Sequence, residues 1–161
     1  MAASNDLTVY LAGHIHGDWR DQVRRMAESR GLSITFLGPC EDHGLSDSIG
    51  VKIRGITKTD VGEGYFSRVQ DDLGGKVNDL RTRVGISRSD IVIAFFDEDQ
   101  GGIRQWNTSG DIGEAAAHGK PIIVVHGPGF THSLKEVDGR ANVVVDSLEQ
   151  AVEVLAYVCG D

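Results

Sequence analysis

Short apolar runs alternate with amphipathic stretches along most of the chain. "LTVYLAG" is rich in β-branched and aromatic residues and closes on Gly13, which predicts a buried strand over roughly residues 7–12. In "DWRDQVRRMAESRG", Trp19, Val23 and Met26 recur at helical spacing, and Gly31 is a natural stop. "LSITFLGP" reads as a second strand ended by Gly38-Pro39. From Cys40 to about Lys76 the period fades among Gly, Asp and Ser. That stretch is expected to be an irregular functional loop, with short helices only around Val51–Ile56 or Tyr65–Asp72.

Regularity then returns. "KVNDLRTRVGISRSD" predicts a helix with Val77, Leu80 and Val84 on its inner side. "DIVIAFFD" and "KPIIVVHG" are continuous apolar strands, the kind covered on both faces. Between them "NTSGDIGEAAAHG" predicts a helix stopped by Gly119. "HSLKEVDG" is a weakly helical connection and "ANVVVDS" a fifth strand. "SLEQAVEVLAYVC" is a closing helix with Ser147 as its N-cap. Leu155, Tyr157 and Val158 on it suit either the core or an interface.

Strands alternating with helices imply an α/β fold: one domain over 1–161, a three-layer sandwich around a five-stranded parallel sheet. The expected order is the flavodoxin-like 2-1-3-4-5. Ligands bind such sheets beyond the C-terminal strand ends, where the order reverses between strands 1 and 3. Three segments are nominated: "AGHIHGD" after strand 1, "GPCEDHGLSDS" after strand 2 and "FDEDQGGIRQWNTSGD" after strand 3.

Composition narrows the partners. The 161 residues carry 24 acidic against 16 basic side chains, a net charge of −8. That balance disfavours nucleic acid and anionic membranes, which both select basic surfaces. The longest apolar runs are too short to span a bilayer. The two cysteines, Cys40 and Cys159, form no CxxC pair, and a cytoplasmic setting is the default expectation.

Several nucleotide motifs are missing. "GEAAAHGKP" has one residue too many for a P-loop and places Pro121 where a hydroxyl should bind magnesium. No GxGxxG follows strand 1. His14 and His16 suggest a metal pair, but no cysteine or carboxylate cluster accompanies them at zinc spacing. Neither a metal nor another cofactor is expected; the two histidines either line a ligand pocket or cap the next helix.

Asp111 has two readings. Thr108-x-x-Asp111 fits a capping box, and a carboxylate in a first helical turn complements the dipole by about 0.3–1 kcal/mol. A cap has no need of Gly110 and Gly113, which cost about 1 kcal/mol each relative to alanine inside a helix. Glycines flanking a carboxylate allow close approach by a ligand or a neighbouring helix.

The motifs "VYLAG…HIHGDWR", "ITFLGPCEDHGLSDSIG", "NDLRT", "SDIVIAFF", "QWNTSGD" and "AHGKPIIVV", in this order, resemble the YtoQ family. The likeness covers nearly the whole chain, apart from the first few residues and parts of 57–72. Through it the sequence is similar to the nucleoside 2-deoxyribosyltransferase superfamily, whose fold is flavodoxin-like. The resemblance implies a small-molecule nucleoside or nucleotide partner, a homo-oligomer, and cleavage or transfer at an N-glycosidic bond. It aligns Asp111 with the glutamate nucleophile of those transferases and Asp79 with an aspartate that handles the base. The Gly13 loop would approach the sugar or a phosphate.

Three departures accompany it: aspartate in place of glutamate, Gln105 where the transferases carry a further aspartate, and a longer interval between Asp79 and strand 3. The alternative that these keep open is a non-catalytic nucleotide-binding or sensing module. A glycosidase acting on NAD shares the chemistry without a clear motif. As an enzyme, the chain would use Asp111 as nucleophile, ionised by its helix dipole, with Asp79, His14 or His16 supplying a proton. Trp106 could stack on the base or serve as a hydrophobic staple. Asn107 could bond the sugar or act as an N-cap, and Thr108 lies beside it. Asp42, His43 and Asp47 would line the edge after strand 2 or form a polar turn. Arg81 could meet a phosphate or Asp79, or be a solvated helix charge.

Overall fold

Strand β1 (Leu7–Gly13) lies between β2 (Ile34–Leu37) and β3 (Ile91–Phe96), and pairs in parallel with both. These come from a computed structural model that describes residues 6–100 and 105–160. Strands β4 (Ile122–His126) and β5 (Val143–Val145) extend the sheet, giving the order β2-β1-β3-β4-β5. The expected flavodoxin-like topology is therefore the observed one. Its order reverses between β1 and β3, where Gly13 is in register with Phe95. The helices are α1 (Trp19–Ser29), α2 (His43–Arg54), α3 (Lys58–Val61), α4 (Glu63–Arg88), α5 (Trp106–Ala117), α6 (Lys135–Asp138) and α7 (Leu148–Cys159).

The strand pleat sorts the core into two halves. Val9 and Leu11 of β1 face α1 and α7, where they meet Trp19, Val23 and Leu155. Tyr10 and Ala12 face the other way, against Ile86 of α4 and Ile112 and Ala115 of α5. Each large apolar side chain removed from water contributes about 1.5–3 kcal/mol. Helix α7 begins as expected, with the Ser147 hydroxyl accepting from the Gln150 amide at 3.3 Å. It buries Leu155 and leaves Tyr157 and Val158 exposed.

The region expected to be an irregular loop is instead helical. Asp42 caps α2, its Oδ1 accepting from the Leu45 amide at 2.9 Å. Helices α2 and α4 then cross almost backbone to backbone. A Cβ on Gly50 would lie 2.6 Å from the Gly74 nitrogen, and one on Gly74 would lie 2.9 Å from the Asp47 carbonyl oxygen. Glycine contact replaces an apolar stripe there, so the hydrophobic period is faint although the helices are real.

Three further expectations are corrected. Leu80 and Val84 do not form the inner side of α4; both are exposed, and only Val77 of that trio is half-buried. Arg81 therefore does not flank a core leucine, and its Nε donates to the Gly38 carbonyl at 3.3 Å. Helix α5 starts at Trp106, with Gln105 at the N-cap position. Asn107 is therefore not a cap, Thr108 is a buried residue of the first turn, and Asp111 lies beyond it. The capping-box reading of Thr108 and Asp111 is overturned. Residues 101–104 of the segment nominated after β3 lie outside the described residues. Among the described residues no helix is long and apolar enough to cross a membrane.

Candidate functional site

A cavity of about 660 Å³ opens at the C-terminal ends of β1 and β3. Gly13, His14 and His16 contribute from the turn after β1, and His43 and Asp47 from α2. Asp79 contributes from α4, and Trp106, Asn107, Thr108 and Asp111 from α5. Ten of the residues singled out in the sequence thus share one wall system. Asp42 does not belong to it, because its carboxylate is committed to capping α2.

Asp111 is half-buried on the cavity-facing side of α5, and its carboxylate makes no hydrogen bond among the described residues. Burial pushes its pKa up to about 7, and the negative charge of Asp79 adds to the rise. The Arg20 charge opposes both. The expectation that a helix dipole would hold Asp111 well ionised is therefore reversed. The dipole acts mainly on the first turn, and Asp111 lies past it. A Cβ at Gly110 or Gly113 would meet nothing within 4 Å among the described residues, so no helix contact there accounts for either glycine.

Tyr10 supports this corner from β1. Its ring fits against Gly85 of α4, where a Cβ would come within 2.6 Å of Cε2. Its hydroxyl donates to Thr82 Oγ1 at 3.2 Å. Burial and the nearby Asp111 charge raise its pKa to about 12, so the phenol keeps its proton. Asn78, next to Asp79, donates through Nδ2 to the Ser46 carbonyl at 3.0 Å and to its hydroxyl at 3.1 Å, tying α4 to α2.

The wall after β1 is built around a buried arginine. Arg20 donates from Nε to the Leu11 carbonyl at 3.2 Å, and from its terminal nitrogens to those of His14 at 2.7 Å and Gly13 at 2.8 Å. The guanidinium sits 4.3 Å from the centre of the Trp19 ring. Trp19 Nε1 also donates to the His14 carbonyl, at 3.0 Å. Gly13 is at φ 156°, and a Cβ there would come within 2.6 Å of the Trp19 ring.

The His14 side chain is 3% exposed, and its Nε2 lies 3.3 Å from Asp97 Oδ2. Neither ring nitrogen makes a well-aligned hydrogen bond among the described residues. Burial lowers its pKa more than Asp97 raises it, so the ring is neutral at neutral pH. His16 lies over it, with centroids 6.3 Å apart, and His43 approaches His16 at 5.5 Å. These rings form a polar wall, and the described residues contain no cluster of three or more His, Cys, Asp or Glu suited to a metal ion.

Gln105 holds the loop after β3. Its Oε1 accepts from the Asp97 amide and its Nε2 donates to the Asp97 carbonyl, both at 3.0 Å. This reciprocal pair seats Asp97 beside His14.

Arg20, Tyr10 and Asp97 are what reading the sequence missed, together with the bonds by which Gln105 holds Asp97. Arg20 left a signal: it shares a helical face with Trp19, Val23 and Ala27, all buried. A charge on a buried face demands partners.

The family model described as "Nucleoside 2-deoxyribosyltransferase YtoQ" matches residues 10–159. The uncharacterized protein YtoQ of Bacillus subtilis (strain 168) is 39% identical over 153 residues, which cover 95% of this chain and 97% of that protein. The solved structure of Clostridium botulinum CMP N-glycosidase, BcmB, aligns over 94% of this chain and 98% of its own, with a TM-score of 0.47 and 14% identity. On the family match and the identity to its Bacillus relative, the chain belongs to the nucleoside 2-deoxyribosyltransferase YtoQ family.

Proposed function

We propose that the protein cleaves or transfers the N-glycosidic bond of a nucleoside or nucleotide, with Asp111 as nucleophile. One observation carries this reading. Asp111 lines the cavity, its carboxylate makes no hydrogen bond among the described residues, and the Asp79 charge at the same cavity raises its pKa. Two carboxylates at one cavity suit a reaction that passes through a sugar cation. The family description, a transferase acting on nucleosides, supports the same class.

In this reading the ionised Asp111 oxygen bonds to the anomeric carbon as the carbon–nitrogen bond breaks. The electron pair of that bond leaves with the base, which takes its proton from solvent water at the cavity. Water or an acceptor base then displaces Asp111, and its carboxylate is restored. Trp106 and the His14–His16 wall offer flat surfaces to a base, and Asn107 and Thr108 offer hydrogen bonds to sugar hydroxyls.

The test is incubation with a panel of ribo- and deoxyribonucleosides, their 5′-monophosphates and NAD, with chromatography for free base. Base release or exchange that disappears in Asp111→Ala supports the proposal. Binding of a panel member with no release by wild type would replace it with the non-catalytic nucleotide-binding reading.

A further inference from the structure

Arg20 is not among the residues that line the cavity, and 2% of it is exposed. No carboxylate among the described residues lies within ion-pair distance of it; its hydrogen bonds go to three main-chain carbonyls at the C-terminal end of β1 and just beyond it. A buried cation without a counter-ion is costly, and hydrophobic packing beside Trp19 and Val23 would stabilise the helix more simply. The planar fork matches the Leu11, Gly13 and His14 carbonyls in a way a lysine cannot.

We propose that Arg20 is a positioning residue: from behind the cavity it clamps the Gly13–His14 wall and sets a fixed, buried positive charge behind the cavity that Asp111 lines. The inference rests on Asp111 being the nucleophile. The clamp is direct, since the two carbonyls bound by the terminal nitrogens belong to cavity-lining residues. The charge acts over a longer range.

The groups around the pair define its field. The charges that act on Asp111 are those of Asp79 on α4 and Arg20 on α1, and Asp111 in turn acts on the Tyr10 phenol of β1, as Arg81 also does. Arg20 is faced by Glu41, Tyr10, Arg24 and Asp111. Burial lowers the Arg20 pKa to about 10, which leaves it cationic throughout the neutral range. As Asp79 repels a second negative charge, Arg20 offsets it and keeps part of Asp111 ionised near neutral pH.

Two variants separate clamp from charge. The Asp111 carboxyl is followed by carbon-13 NMR, assigned through Asp111→Asn, and the Gly13 and His14 amides by hydrogen exchange. Arg20→Gln removes the charge and should move the Asp111 titration upward by about half a pH unit, since Arg20 is the smallest of the three influences on it. Arg20→Lys retains the charge but not the fork. It should leave that titration in place while exchange at the Gly13 and His14 amides speeds by about tenfold or more.

An unmoved Asp111 titration in folded Arg20→Gln overturns the electrostatic role. Unchanged amide exchange in Arg20→Lys overturns the clamp, and this arm decides should Arg20→Gln fail to fold. Neither readout needs turnover. Base release by wild type, measured alongside, therefore distinguishes failure of this inference from failure of the catalytic reading.

Discussion

Asp79 on α4 and Asp111 on α5 line one cavity, and the charge of Asp79 helps hold the Asp111 pKa up near 7. A nucleophile must be ionised, so activity should rise with pH through about 7. Asp79→Asn removes the repulsion, and the rising limb of a kcat/KM profile should move to lower pH. The limb should stay rising, because burial, the larger cause, is untouched.

The same shift predicts a stability effect. The ordinary Asp pKa of 3.8 is raised in the folded state to about 7, so the folded chain binds this proton more tightly than the unfolded chain. The stability from that group is complete below pH 3.8 and is lost as pH rises through about 7. Asp111→Asn is isosteric and uncharged, so it should stabilise the protein at pH 8 by about 1–2 kcal/mol, a range that allows for solvent at the carboxylate. Urea melts at pH 4 and pH 8 check this: the gain should be confined to the higher pH, while activity is lost.

Gln105 predicts a positional effect. Gln105→Glu keeps an acceptor for the Asp97 amide but sets an oxygen against the Asp97 carbonyl, and should cost about 1–3 kcal/mol. Gln105→Ala should cost about 1 kcal/mol and release Asp97 from His14. Nitrogen-15 NMR of the His14 ring checks the second effect. The wild-type ring should carry its proton on Nε2, facing Asp97, and this preference should weaken in Gln105→Ala.

The α2–α4 crossing predicts a glycine effect. Gly50→Ala places a methyl group against the backbone of Leu73 and Gly74. The gain of about 1 kcal/mol in helix propensity is outweighed by overpacking, so a net loss of about 1–2 kcal/mol is expected. Thermal melts read it directly. Because the crossing carries Ser46, Asp47 and Asn78 on the cavity wall, KM for any cleaved substrate should rise.

The pattern of the chain shows the sheet plainly. β1, β3 and β4 are buried on both faces, so their apolar runs are continuous and their order follows from chirality and crossover rules. The helices between His43 and about Lys76 are hidden because Gly50 and Gly74 replace the side chains a period would show; the later part of α4 was legible as a helix, though not in the face it buries. The site was legible in membership, since turns after β1 and β3 converge at a switch point. Its electrostatics were not, because they depend on tertiary neighbours. Asp111 looks like a helix-start carboxylate until α5 is seen to begin at Trp106 and Asp79 to lie across from it. Arg20 looks like one more charge on a polar helix until the β1 carbonyls close around it.

The central claim is that Asp111 bonds to the sugar. Acid quench of wild type during base release, followed by proteolysis and mass spectrometry, tests it most directly. A pentose- or pentose-phosphate-sized adduct is expected on the peptide containing Asp111, absent from Asp111→Ala, which also releases no base. Base release by Asp111→Ala at the wild-type rate, with no adduct on the wild-type peptide, would contradict it.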